Sequence, residues 1–112
     1  QYVLANLKKM NVVPSRLTTD TEFVRRVYLD VAGRMPEAAE INAFVSDKTP
    51  NKRAKLIDAL LDSPDYVDMR TLRLADLLRV HPRNFDNNIQ GDRSAVLFTE
   101  WIRDAVRDNM PY

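Results

Sequence analysis

The amino-acid sequence predicts an all-α protein: an orthogonal or irregular bundle of five or six short helices, forming one domain over residues 1–112. Three observations carry this. Apolar residues recur at helical spacing along most of the chain, and no stretch alternates apolar and polar residues as a half-buried strand would. Glycine occurs only twice, too rarely for the many tight turns of a sandwich or barrel. Helix-start signals fall at short intervals, each a cap residue followed by proline or by glutamate three positions on. A chain of 112 residues, 45% apolar and 29% charged, suits a single globular domain with its own core.

Taken in order, Val3 to Met10 reads as one or two helical turns. Pro14 stops it, because proline disfavours helix in the residue before it. Thr19 with Glu22 has capping-box spacing. Phe23, Val24, Val27, Tyr28 and Val31 then form the apolar stripe of a helix that Gly33 and Pro36 terminate. Pro36-Glu37 opens the next helix, with Ala38, Ile41, Phe44 and Val45 as its stripe. Thr49-Pro50 starts a third, buried through Leu56, Ile57, Leu60 and Leu61. Ser63-Pro64-Asp65 starts a fourth, running to about Val80 and apolar on most sides, which places it at the centre. His81-Pro82 ends it. Arg83 to Arg93 is polar and Asn-rich and reads as the one long irregular stretch. Ser94 caps a last helix with Phe98, Trp101, Ile102, Ala105 and Val106 on its stripe. The expected core is Phe23, Val27, Tyr28, Ile41, Phe44, Leu56, Ile57, Leu60, Leu61, Met69, Leu72, Ala75, Phe98, Trp101, Ile102 and Ala105. Tight corners between short helices favour crossed over long parallel packing.

Composition removes several function classes. Without cysteine there is no disulfide, thiolate metal site, iron–sulfur cluster, thiol nucleophile or covalent c-type haem attachment within these residues. A single histidine, His81, excludes two-histidine metal motifs. Seventeen basic and sixteen acidic residues are interleaved, leaving no net field for nucleic acid. No apolar run approaches the roughly 18 residues of a transmembrane helix. The start at Gln1 and the end at Met110-Pro111-Tyr112 suggest a piece of a longer or processed polypeptide.

Three stretches carry a family resemblance. Phe23 to Pro36 reads FVRRVYLDVAGRMP, Lys52 to Tyr66 reads KRAKLIDALLDSPDY, and the segment from Trp101 ends in Asn109-Met110-Pro111-Tyr112. In this order they resemble the planctomycete cytochrome-c-associated domain of unknown function 1549, whose members carry FxRRVYLDxxGxxP, KRxxLIDxLLxSPxY and a closing NMPY. The stretch from Arg73 to His81 departs from the family in lacking tryptophan. The resemblance covers most of the chain after Asp20. It implies a domain of an exported, periplasmic or cell-envelope multidomain protein, with other domains of the same chain as partners. It also implies that any haem sits elsewhere in the full-length chain. It supplies no activity.

The candidate functional positions are Arg26, Asp30, Asp76, His81, Asp86, Asn88 and Asp92, and each has a structural reading beside the functional one. Arg26 and Asp30 are four apart and read as an ion pair or, alternatively, an anion contact. Asp76, on the most apolar helix with Arg73 and Arg79 three residues away, reads as a buried ion pair or a general acid or base. His81 reads as a helix C-cap, or as a metal ligand, a general base or an axial haem ligand for a partner domain. Asp86, Asn88 and Asp92 loosely resemble oxygen-rich calcium ligands, without the Gly and terminal Glu of an EF-hand. Glu100 and Asp104 interleave with Arg103 and Arg107 and read as a charged outer face. No cofactor or catalytic constellation is complete within the chain. Two functions follow: a non-catalytic module making interdomain or protein contacts, or part of a composite redox or hydrolytic site shared with a neighbouring cytochrome-like or other domain.

Overall fold

The computed structural model describes residues 2–85 and 89–111. The described residues are helical, without strands. They form α1 (Tyr2–Lys9), α2 (Asp20–Val27), a π-helical segment (Tyr28–Ala32), α3 (Ala38–Ser46), α4 (Lys52–Leu61), α5 (Pro64–Leu77), α6 (Pro82–Phe85) and α7 (Ile89–Arg107).

The starts of these helices follow from side-chain capping. Thr19 and Glu22 close the expected capping box on α2. The Glu22 N–H donates to Thr19 Oγ1 at 3.3 Å, and the Thr19 N–H donates to Glu22 Oε2 at 2.8 Å. Ser63 caps α5 with Pro64 in the first turn, and its Oγ accepts from the Tyr66 N–H at 3.3 Å. The other two starts shift. Pro36 is buried ahead of α3, and Glu37 is the cap residue, its N–H donating to Glu40 Oε2 at 2.7 Å. Thr49 turns back onto Asp47, to which both its N–H and its hydroxyl donate. Asn51, with φ 62°, takes its place as the residue before α4.

Three helices end in a Schellman motif whose left-handed residue is not glycine. At the end of α5 the Val80 N–H donates to Ala75 O at 2.8 Å and the Arg79 N–H to Asp76 O at 3.0 Å, with Arg79 at φ 54°. Asn11 after α1 and Asn109 after α7 repeat the pattern. Gly33, φ 70°, ends the π-helical segment, as the sequence predicts for a helix C-terminus. A side chain there would meet Met69 of α5: a Cβ would lie 2.7 Å from its Sδ and 3.0 Å from its Cγ. The bare backbone lets α5 pack directly on the corner.

One core joins α2, the π-helical segment, α3 and α4. It consists of Val24, Val27, Tyr28, Ala32, Phe44 and Leu60, with Phe23, Val31, Ile41, Leu56 and Ile57 packed around it. Val24 is fully buried, although the core expected from sequence omits it. The π-helical segment replaces the last turns of the α-helix predicted through Val31. Its wider turn sets Tyr28 and Ala32, four residues apart, on the same buried side. A smaller patch lies around Ala95 and Ile102 of α7, which packs on α5 and α6.

Three expectations are corrected. The stretch from Arg83 to Arg93 is not a long loop, since α6 ends at Phe85 and α7 begins at Ile89, ahead of Ser94. Helix α5 ends at Leu77 and is not enclosed; among its residues only Thr71 is buried, while Leu72 and Leu77 are 59% and 76% exposed. It packs on the π-helical segment, α4 and α7 and leaves a face open. Leu61, Leu72 and Trp101 are therefore exposed rather than core. The molecule is elongated, 55 × 40 × 24 Å, with a radius of gyration of 19.3 Å. A compact chain of this length has about 13 Å.

Candidate functional site

Two polar clusters fix the corners of the core. In the first, Arg34 follows the left-handed turn at Gly33 and reaches both α3 and α5. Its Nη1 and Nη2 donate to the two Glu40 oxygens at 2.9 and 2.8 Å, and its Nε donates to Asp65 Oδ2 at 2.7 Å. The guanidinium also lies 4.9 Å from the Tyr28 ring centre. The Arg34 fork holds the Glu40 carboxyl at about 2, against an ordinary 4.5, with the Glu37 N–H and the Tyr28 hydroxyl also donating to it. Burial and the Glu40 carboxylate raise the Tyr28 hydroxyl. Arg34 is in turn held more firmly protonated.

In the second, Asp20 at the start of α2 accepts from Lys52 Nζ at 2.6 Å and Arg53 Nη2 at 2.8 Å. Lys52 also donates to the carbonyls of Phe44 and Asp47, at 3.1 and 2.9 Å, at the end of α3. Two cations in the first turn of α4 oppose its own dipole. Asp20 and the negative end of α3 supply the compensating charge. Phe23 and Phe44 stack beneath, ring centres 5.8 Å apart, with Arg53 and Lys52 over them at 4.8 and 4.7 Å. Both clusters are saturated by partners within the fold, so they position helices.

The open surfaces lie on α7. Between α5 and α7 runs a groove of about 450 Å³ whose walls include Leu74, Leu77, Leu78, Trp101 and Met110, with Tyr66 and Arg70 at one side. Leu77, Leu78, Trp101 and Met110 are each more than half exposed there. Trp101 stacks on Phe98 at 5.7 Å, and Arg103 pairs with Asp68 across the two helices at 3.0 Å. A second, wider groove of about 900 Å³ lies beside α6. Val80, Pro82, Ala95 and Val96 line it as apolar surface, and Asp92, Glu100 and Asp104 outnumber Arg103 among its charged groups.

The sequence candidates do not assemble. Arg26 and Asp30 are both exposed and form no ion pair with each other, Arg26 standing at the end of α2 and Asp30 in the π-helical segment. Asp76 is exposed in the last turn of α5, so the buried ion pair expected for it is absent. His81 caps the start of α6 rather than the end of α5. Its Nδ1 accepts from the Arg83 N–H at 3.2 Å, and the Schellman turn at Arg79 satisfies the α5 carbonyls instead. Asp86 and Asn88 lie outside the described residues. Asp92 is exposed in the first turn of α7 and lines the wider groove. Arg26, Asp30, Asp76 and His81 line neither groove. Among the described residues no group of three or more His, Asp or Glu side chains is arranged to hold a metal ion. Arg34, Glu40 and Asp65 were missed as a cluster because 31 residues separate Arg34 from Asp65; the arginine directly after the helix-ending Gly33 was the available signal.

What the fold and these surfaces define is a small helical protein whose polar clusters are structural and whose apolar grooves stand open. By comparison with known families, the chain belongs to PSCyt2, described as a protein of unknown function (DUF1549), matched over residues 1–112. No curated protein and no solved structure matches it.

Proposed function

We propose that this chain is a non-catalytic helical module of an exported or cell-envelope multidomain protein, and that it makes interdomain or protein contacts through the α5/α7 groove. The observation that carries the reading is the run of exposed Leu77, Leu78, Trp101 and Met110 around one concave apolar surface. Contiguous apolar surface of this kind marks contact sites. A shared active site would need candidate side chains to converge. Arg26, Asp30, Asp76 and His81 instead stand on α2, the π-helical segment, α5 and the residue before α6. No helix among the described residues is long and apolar enough to cross a membrane.

Trp101, the one tryptophan of the chain, is the reporter. In the 112-residue chain its emission is expected to be that of a solvated indole and readily quenched by iodide. In the full-length protein, with other tryptophans replaced by phenylalanine, the emission shifts to the blue and the quenching falls. Equal quenching in both would refute the docking role of this groove.

A further inference from the structure

We propose that two copies of this chain exchange their N-terminal helices, each α1 lying in the acidic α6/α7 groove of the other copy. The groove is on a different part of α7 from the one used above, so this stands apart from the proposed function. The first observation concerns α1. It buries none of its residues, and Tyr2, Val3, Leu4 and Met10 are 82, 69, 59 and 63% exposed. Val3, Leu7 and Met10 fall at i, i+4 and i+7, a single apolar stripe, and Lys8 and Lys9 stand at its C-terminal end. An eight-residue helix is marginal in water on propensity alone and holds its form against an apolar surface.

The groove offers that surface with the opposite charge. Val80, Pro82, Ala95 and Val96 line it, and Val96 is 57% exposed. Asp104 pairs with Arg107 at 2.8 Å, whereas Asp92 and Glu100 form no ion pair among the described residues. Lys8 and Lys9 complement those two carboxylates. The area agrees. The chain exposes 9050 Å², about 2,700 Å² more than a compact monomer of its mass. A standard interface covers about 800 Å² on each partner. Val12 to Leu17 is an exposed, irregular connection long enough to carry α1 up to about 20 Å from the core. The exchange is reciprocal, so the contact closes as a two-fold dimer instead of propagating.

Sedimentation velocity between about 1 μM and 1 mM tests this. A dimer is expected that weakens as salt is added. The chain lacking residues 1–12 is expected to be monomeric with an unchanged Tm. Lys8→Glu with Lys9→Glu is expected to weaken association about tenfold. Mixing that variant with Asp92→Lys/Glu100→Lys is expected to restore association as a heterodimer. Circular dichroism confirms that each variant folds, since all four positions are exposed. A chain that stays monomeric throughout the range overturns the proposal. So does a dimer that survives loss of residues 1–12, or a charge-swapped mixture that fails to recover.

Discussion

At Gly33 two constraints meet in one residue. The backbone is left-handed, and Met69 occupies the space a Cβ would need. Gly33→Ala is expected to cost about 1–3 kcal/mol, read as a shift in the denaturant midpoint. Adding Met69→Ala should not return the variant to wild-type stability, because the left-handed strain remains. Glu22 and Glu40 give the molecule its acid response. Both are held at about 2 in the folded chain, against 4.5 for a free carboxyl: Arg16 is the main cause at Glu22, and Arg34 at Glu40. A lowered folded value contributes stability that is fully present above 4.5 and is lost as pH falls towards 2. Tm is expected to be level above that window and to fall within it. Glu40→Gln should lower Tm at neutral pH and flatten the fall. A Glu40→Gln chain with the wild-type acid profile would show that the Arg34 cluster does not couple to folding.

Among the elements, the helix ends are the least optimised. Arg79 adopts the left-handed conformation that glycine takes without strain. Arg79→Gly is expected to stabilise the chain by about 0.5–1 kcal/mol in urea unfolding, less what the flexible glycine costs in the unfolded state. The elements also divide into those the sequence reveals and those it hides. Capping boxes and Ser63-Pro64 are local, since their chemistry lies within four residues, and the α2 and α5 starts were legible for that reason. The π-helical segment was not, because a π turn and an α turn share the same apolar stripe until a partner helix selects between them. The start of α7 was hidden by Gly91 and the polar residues around it, which tertiary packing on α5 and α6 carries into helix. The candidate site was poorly legible. Arg34, Glu40 and Asp65 come together only through the fold, whereas Asp76 drew attention through apolar neighbours that turn out to be exposed themselves.

The whole molecule is more open than its composition suggests. Forty-five per cent apolar residues would fill a compact domain, yet α1 and the outer faces of α5 and α7 leave theirs uncovered. Small-angle scattering of the dilute chain is expected to return a radius of gyration near the 19.3 Å of this shape. A value near the ~13 Å of a compact chain would mean that α1 and the α5–α7 arm fold back onto the core. Among the described residues, the polar clusters and the open apolar surfaces belong together: the charged side chains of Arg34, Glu40, Asp65, Asp20, Lys52 and Arg53 are spent on joining α2, α3, α4 and α5 at two corners.

The clasp at Asp20 has a consequence for how the chain is cut. Trypsin needs several residues of extended backbone around a lysine or arginine. Lys52 and Arg53 stand in a helix with their side chains engaged by Asp20, Phe44 and Asp47. Lys8 and Lys9 lie in a helix that buries nothing, and Arg16, although its guanidinium pairs with Glu22, lies on the exposed irregular connection that follows it. Brief digestion should therefore trim the N-terminus first and leave a resistant fragment beginning at Leu17, visible by mass spectrometry as a single new species. Early cleavage after Lys52 or Arg53 would show that the two cations guard nothing.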